Sequence, residues 1–215
     1  MAFESTVDGR LTLVKVGPMG FAANNCYVLS DNQTGDAVII DAPEGCEAIQ
    51  PALEGLNVQS VIVTHRHRDH WAGIETMLSM LKAPVLTGEG DVEGHEPFVT
   101  GTLAHGDSIE VGGVRLRVLL TPGHTPGHVC LVTGNHLLSG DTLFPGGPGR
   151  TRSNELLMQE IESIKRELYV LPDDVAVYPG HGANTKIGAS KAEYAVFASR
   201  PHDPELSGDV LWLQS

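Results

Sequence analysis

Positive charge is scarce in this sequence. Over 215 residues, 14 Lys and Arg face 27 Asp and Glu, a formal net charge of −13. Such a chain repels phosphate backbones and anionic headgroups, which argues against broad electrostatic binding to nucleic acid or a lipid surface. Cysteine is also scarce. Cys26, Cys46 and Cys130 are odd in number, widely spaced and without a C-x-x-C pair. A disulfide framework is therefore not expected, the three thiols read as small buried hydrophobes, and a reducing cytoplasm is the simplest compartment. No apolar run approaches the roughly 18 residues of a membrane span. The opening M-A-F-E-S-T-V-D-G-R is acidic and has no apolar h-region, so no secretory signal is read. Repeats and low-complexity tracts are missing, and the 25 glycines and 13 prolines are spread along the chain. One domain over residues 1–215 is the economical expectation.

A hydrophobic share of 41% is enough for a real core. Short apolar runs predict strands at Leu11–Val16, Cys26–Ser30, Ala37–Ile40, Val58–Thr64, Pro84–Thr87, Ser108–Val111, Gly113–Leu120, Val129–Thr133, His136–Ser139 and Val175–Tyr178. Gly113–Leu120 and Val129–Thr133 read as antiparallel partners. Helices are predicted at Glu47–Leu56, Gly73–Lys82, Glu155–Leu168 and Ala189–Ala198. In the third, Leu157, Ile161, Ile164 and Leu168 form one apolar stripe, with Ser153 or Asn154 as cap and Pro172 just beyond. Many short strands with a few amphipathic helices suggest an α+β layered domain.

The abundant residue is histidine, with ten copies, and it is the commonest protein metal ligand. Strand Val58–Thr64 runs into T-H-R-H-R-D-H, which places His65, His67, Asp69 and His70 on one strand-to-helix loop. If that loop is extended, His65, His67 and Asp69 point one way and His70 the other, so one loop could feed two neighbouring sites. Next comes T-P-G-H-T-P-G-H. Its His124 reads as a ligand and its His128 as a supporting residue at the start of a strand. L-L-S-G-D-T-L-F follows, where Asp141 can bridge two cations through its two oxygens. V-Y-P-G-H-G then delivers His181 at a strand end. Imidazole with carboxylate suits Zn, Fe and Mn. His95, His105, His136 and His202 lie outside these motifs and read as surface or structural.

In this order, H-x-H-x-D-H, the histidine of T-P-G-H-T-P-G-H, G-D-T-L-F and P-G-H-G resemble the metallo-β-lactamase superfamily. N-N-C-Y-V-L-S and V-I-I-D-A resemble its first strands, with Asp41 as its structural aspartate. The likeness runs from about residue 25 to residue 181, leaving 182–215 for a short helix and tail. It implies a four-layer αββα sandwich with a two-metal site at one edge. Carried over position by position, His65, His67 and His124 would hold one metal, Asp69, His70 and His181 the second, and Asp141 would bridge them. Within the superfamily the chain looks most like glyoxalase II-type thioester hydrolases, through G-D-T-L-F-P-G-G-P-G-R-T, with Arg150 as candidate substrate anchor. Full-length members carry a helical C-terminal region that grips glutathione, and only 34 residues follow His181 here.

The resemblance implies two divalent ions, Zn first with Fe or Mn compatible, sharing a bridging hydroxide that attacks a thioester carbonyl. Asp69 and Asp141 are the carboxylates assigned to catalysis. Two other activities fit the same ligand pattern: a mononuclear iron persulfide dioxygenase, and a lactonase or other ester or amide hydrolase. The expected partner is a small-molecule substrate, with neither nucleic acid nor membrane. The tail Val210–Leu213 could pack on the chain's own core or on a second subunit.

Overall fold

The structure is a computed structural model and describes residues 1–215. Two sheets face each other. The first holds β1 (Ala2–Asp8), β2 (Leu11–Met19), β3 (Asn24–Asp31), β4 (Asp36–Ile40), β5 (Asn57–Ile62), β6 (Val85–Gly88) and β7 (Gly101–Leu103), in that spatial order. Strands β1 to β4 pair antiparallel, while β4 to β7 pair parallel. Parallel strands need crossovers. The first is a 3₁₀ segment, Cys46–Leu53, and the second carries α1 (Arg68–Trp71) and α2 (Ile74–Met80).

The second sheet contains β8 (Ser108–Val111), β9 (Val114–Leu120), β10 (Val129–Thr133) and β11 (His136–Gly140). A small ribbon follows, β12 (Leu143–Phe144) with β13 (Gly147–Pro148). Then come α3 (Asn154–Ser163), β14 (Ala176–Pro179), β15 (Thr185–Lys186) and α4 (Ile187–Ala198). The sheet order is β15-β14-β11-β10-β9-β8, with only β11 and β14 parallel.

Period-two alternation builds the layers. In β9, Val114, Leu116 and Val118 point inward and Arg115 and Arg117 outward. The inward residues meet Leu13, Leu29, Val38 and Ile40 of the first sheet in one core between the sheets. The other face of the first sheet (Cys26, Val28, Ile39, Val61) packs on Ile49, Trp71, Ile74 and Met77. The outer face of the second sheet (Leu119, Cys130, Leu137, Val177) packs on Leu157, Ile161, Ile187, Phe197 and the tail. Helix, sheet, sheet, helix is the αββα sandwich that the family resemblance implies.

Several predicted boundaries shift for identifiable reasons. Glu47–Leu56 is a 3₁₀ segment and not an α-helix, because Pro51 inside it lacks an N–H and obstructs the preceding turn. Glu155–Leu168 is α-helical only to Ser163 and widens to a π turn over Ile164–Leu168. Its cap is Ser153, whose hydroxyl accepts from the Leu156 N–H at 3.3 Å. Strand β1, Ala2–Asp8, has no counterpart among the expected strands. It is an exposed edge strand with no buried face to create a pattern. The tail resolves toward the chain's own core, since Val210 and Trp212 are fully buried there.

Candidate metal centre

Strand ends deliver the site, and hydrogen bonds fix it. β4 ends at Asp41, which takes a left-handed backbone conformation (φ 65°). Its carboxylate faces the metal loop. One oxygen accepts from the Thr64 N–H at 2.8 Å and the other pairs with His70 Nδ1 at 2.9 Å. That bond turns His70 Nε2 into the site. His181 is set in the same way, with Nδ1 donating to the Ala22 carbonyl at 2.9 Å. His124 Nδ1 donates to the Arg150 carbonyl at 2.9 Å. Trp71 Nε1 donates to the His65 carbonyl at 2.8 Å and pins the loop from beneath.

The extended reading of residues 65–70 holds only as far as His67. Helix α1 begins at Arg68, so the chain turns before Asp69 and the period of two is lost. Asp69 therefore leaves His65 and His67 and faces His181, with Oδ2 3.2 Å from His181 Nε2.

All seven predicted ligand residues converge. The donor atoms of His65, His67 and His124 lie within 4.8 Å of one another, and so do those of Asp69, His70 and His181. Asp141 stands between the two groups. Its Oδ2 is 3.8 Å from His65 Nε2, 3.7 Å from His124 Nε2 and 3.3 Å from His181 Nε2, and its Oδ1 is 3.5 Å from His70 Nε2. Ring nitrogens approach each other as closely, with His65 Nε2 and His67 Nδ1 at 3.1 Å and His70 Nε2 and His181 Nε2 at 3.3 Å. His124 Nε2 and Asp141 Oδ1 are buried without any hydrogen-bond partner. Orphaned acceptors in such a cluster are costly unless a cation satisfies them. The donor set therefore fits divalent metal.

Charge agrees with that reading. Burial holds the imidazoles of His65 and His124 below their usual pKa and His67 at about 4, leaving lone pairs free to coordinate. Burial opposes charge on His181 too. There the hydrogen bonds to Asp141 and Asp69 win and lift it to about 10. The negative potential that attracts a proton there also attracts a cation.

Supporting residues complete the frame. His128 is buried beneath His65, ring stacked on ring at 5.0 Å, and its Nε2 accepts from the Asp141 N–H at 3.0 Å. It is a support for Asp141, as its position before a strand suggested. Glycine is required where the layers touch: a Cβ on Gly180 would lie 2.3 Å from Asp141 Oδ1. Sequence reasoning missed Asn24, whose Nδ2 donates to Asp69 at 2.8 Å. It also missed Asp91. That fully buried carboxylate accepts from the Arg66 N–H at 3.1 Å, the Gly127 N–H at 3.0 Å and the Thr125 hydroxyl, so it ties the His65–His70 loop to the His124 loop. Neither residue sits in a histidine-rich motif. The nearest signal was the turn-forming G-E-G-D itself.

A groove of about 310 Å³ opens over the cluster between His124, Asp141 and His181. Phe144, Pro145 and Leu211 give it an apolar wall. Arg150 stands at its mouth, 4.0 Å from Asp209 of the tail, with both side chains mostly exposed. The larger cavity, about 590 Å³ beside Gln50, Pro51 and Met80, holds no metal-ligating histidine.

Residues 19–181 match the metallo-beta-lactamase superfamily. This chain belongs to that superfamily. Its members bind divalent metals, in keeping with the His and Asp clusters above. A hydroxyacylglutathione hydrolase from Rhodopseudomonas palustris (strain BisA53) is 37% identical over 166 residues, which cover 74% of this chain and 64% of the relative. The chain thus spans just under two thirds of that hydrolase. A probable polyketide biosynthesis zinc-dependent hydrolase, BaeB, from Bacillus velezensis is 30% identical over 174 residues, covering 77% of this chain and 76% of BaeB. Among solved structures, TTHA1623 in a di-iron-bound form shares 27% identity at a TM-score of 0.70, covering 82% of this superfamily member and 96% of TTHA1623. No helix of the chain is long and apolar enough to cross a membrane.

Proposed function

We propose that this chain is a metal-dependent hydrolase of thioesters. The observation that carries the reading is the position of Asp141, with carboxylate oxygens facing both histidine groups, where its own Oδ1 and His124 Nε2 are buried without a hydrogen-bond partner. The hydroxyacylglutathione hydrolase relatives support the thioester bond as target. In this reading His65, His67 and His124 would hold one divalent ion and Asp69, His70 and His181 a second, with Asp141 facing both groups. Zinc is the ion favoured by the donor set and by the name of the BaeB relative. When bound, such ions lower the pKa of water towards ~7 and polarise a carbonyl oxygen.

The chain's own groups do the rest. Asp41, Ala22 and Arg150 hold the rings of His70, His181 and His124 in the coordinating orientation. Asp69 is 18% exposed against 10% for Asp141, so in this reading it is the carboxylate that meets incoming water and orients it. In this reading the acyl group lies in the groove lined by Phe144 and Leu211, which also reaches Asp141. One C–O bond forms and the C–S bond breaks. One water proton passes to solvent as the nucleophile forms, the other is lost as the product acid ionises, and the sulfur leaves as a thiolate whose low pKa spares the site a strong general acid.

A second reading has one observation in its favour. His65, His70 and Asp141 form a two-histidine, one-carboxylate group, the donor type of non-haem iron oxygenases. Steady-state assay of metal-replete protein on S-D-lactoylglutathione and on acetyl thioesters separates the two. Thiol release within roughly 1–10³ s⁻¹ that disappears in His67→Ala supports the hydrolase. Oxygen consumption with a persulfide, without thioester cleavage, overturns it.

A further inference from the structure

The few arginines are unevenly placed. Of nine in a chain of net charge −13, four (Arg66, Arg68, Arg150 and Arg152) flank the metal-ligand cluster. Arg66 and Arg68 fill the variable positions of H-R-H-R-D-H, and Arg152 lies two residues past the carbonyl that holds His124. A second groove, about 510 Å³, is lined by His67 and shares His124 with the Arg150 groove. Arg66, Arg68 and Arg152 line it, with Glu93 as the one carboxylate and Pro126 and Leu156 as apolar neighbours. Glu93 pairs with Arg66 at 3.2 Å, and the buried Asp91 lies 3.9 Å behind the same guanidinium. Arg68 lies 5.8 Å from the centre of the Phe21 ring. Neither Arg68 nor Arg152 has a carboxylate partner, so the groove keeps uncompensated positive charge inside an acidic molecule. Guanidinium forks grouped this way match the oxygens of phosphate, two donors at a time.

We propose that this groove binds a phosphate-bearing thiol carrier, the chemical class of coenzyme A, while the apolar groove takes the acyl group. The proposal rests on the thioester-hydrolase reading above. A thioester lying across His67, His124 and Asp141 has one arm in each groove, because His124 lines both. The carrier of the glutathione hydrolases brings two carboxylates and an ammonium group. A phosphorylated carrier brings several charges of one sign, which is what Arg68 and Arg152, free of carboxylate partners beside the paired Arg66, select.

The test compares acetyl-coenzyme A with S-acetylpantetheine, which has the same thiol arm without the terminal phosphates, in metal-replete protein. S-D-lactoylglutathione is the third substrate. The wild type should favour acetyl-coenzyme A over S-acetylpantetheine by roughly ten- to a hundredfold in kcat/KM. In the Arg68→Ala, Arg152→Ala double variant that ratio should collapse towards one, with the loss in KM. Added salt should erode the ratio in the wild type. Equal kcat/KM on the two acetyl thioesters, or a higher value on lactoylglutathione than on acetyl-coenzyme A, overturns the proposal and leaves the hydrolase reading standing. If no thioester is cleaved, the hydrolase reading fails, and calorimetric titration with coenzyme A itself decides the groove. Binding that weakens at least tenfold in the double variant supports it, and equal or absent binding overturns it.

Discussion

Asp91→Asn is the most informative single perturbation of this site. The carboxylate is fully buried and accepts three hydrogen bonds, from the Arg66 N–H, the Gly127 N–H and the Thr125 hydroxyl. Asparagine keeps the shape and replaces one oxygen by a donor. If that nitrogen takes the Oδ2 position it meets the Arg66 N–H, and at Oδ1 it meets the Gly127 N–H. In either orientation a backbone donor faces a donor. Leaving one such N–H unpaired costs about 1–3 kcal/mol, and the remaining bonds lose their charge assistance, roughly 1 kcal/mol more. The expected loss is therefore about 2–4 kcal/mol, read by urea unfolding in the presence of a chelator. The second expected effect is on metal. Asp91 holds the loop of His65 and His67 against the loop of His124, and loss of such support lowers metal affinity by roughly 10–100-fold. Competition with a chromophoric chelator measures this. Stability within about 0.5 kcal/mol of wild type together with unchanged metal affinity would refute the clamp.

Other outcomes follow from the rest of the fold. Trp212→Ala should destabilise by about 3–5 kcal/mol in urea unfolding, since the indole is fully buried against Tyr194 and Phe197. Burial pushes the Cys46 thiol up to about 11 and Cys130 up to about 12, and holds Cys26 well above its usual value. The native protein should accordingly release no colour from an aromatic disulfide reagent at pH ~8, and three equivalents once denatured. The Arg10 guanidinium, helped by the Gly113 and Gln33 N–H groups, holds the Asp31 carboxyl well below the usual carboxylate range. Its contribution to stability is present above that range and lost as pH falls through it. Arg10→Met should shift the acid-unfolding midpoint to higher pH, and the gap between variant and wild type should narrow as pH falls from about 5 to about 2.

The sequence was most readable where one physical constraint acted alone. β9 shows strict alternation, Val114-Arg115-Leu116-Arg117-Val118, because one face is core and the other is solvent. All seven residues of the cluster could be named because each sits in a short motif at or just after a strand end, where no packing requirement explains a histidine or aspartate. Elements carrying two demands were harder to read. β1 buries neither face and left no pattern. Pro51 turned an apparent helix into a 3₁₀ segment. The H-R-H-R-D-H loop begins extended and ends helical, so alternation placed Asp69 with His65 when its partner is His181. Asp91 and Asn24 act on the site through contacts distant in sequence, and periodicity carries no signal for those. The pairing of Asp209 with Arg150 depends on where the tail runs, which only the packing of Trp212 determines.

The proposed function requires the cluster built on Asp141 to activate water for thioester cleavage. The most direct measurement is anaerobic turnover of a thioester in ¹⁸O-labelled water by metal-replete protein, beside Asp141→Asn. The account predicts thiol release with one labelled oxygen in the acid product, and loss of that turnover by several orders of magnitude in the variant. Label-free acid, a strict need for dioxygen, or turnover surviving in Asp141→Asn would contradict it.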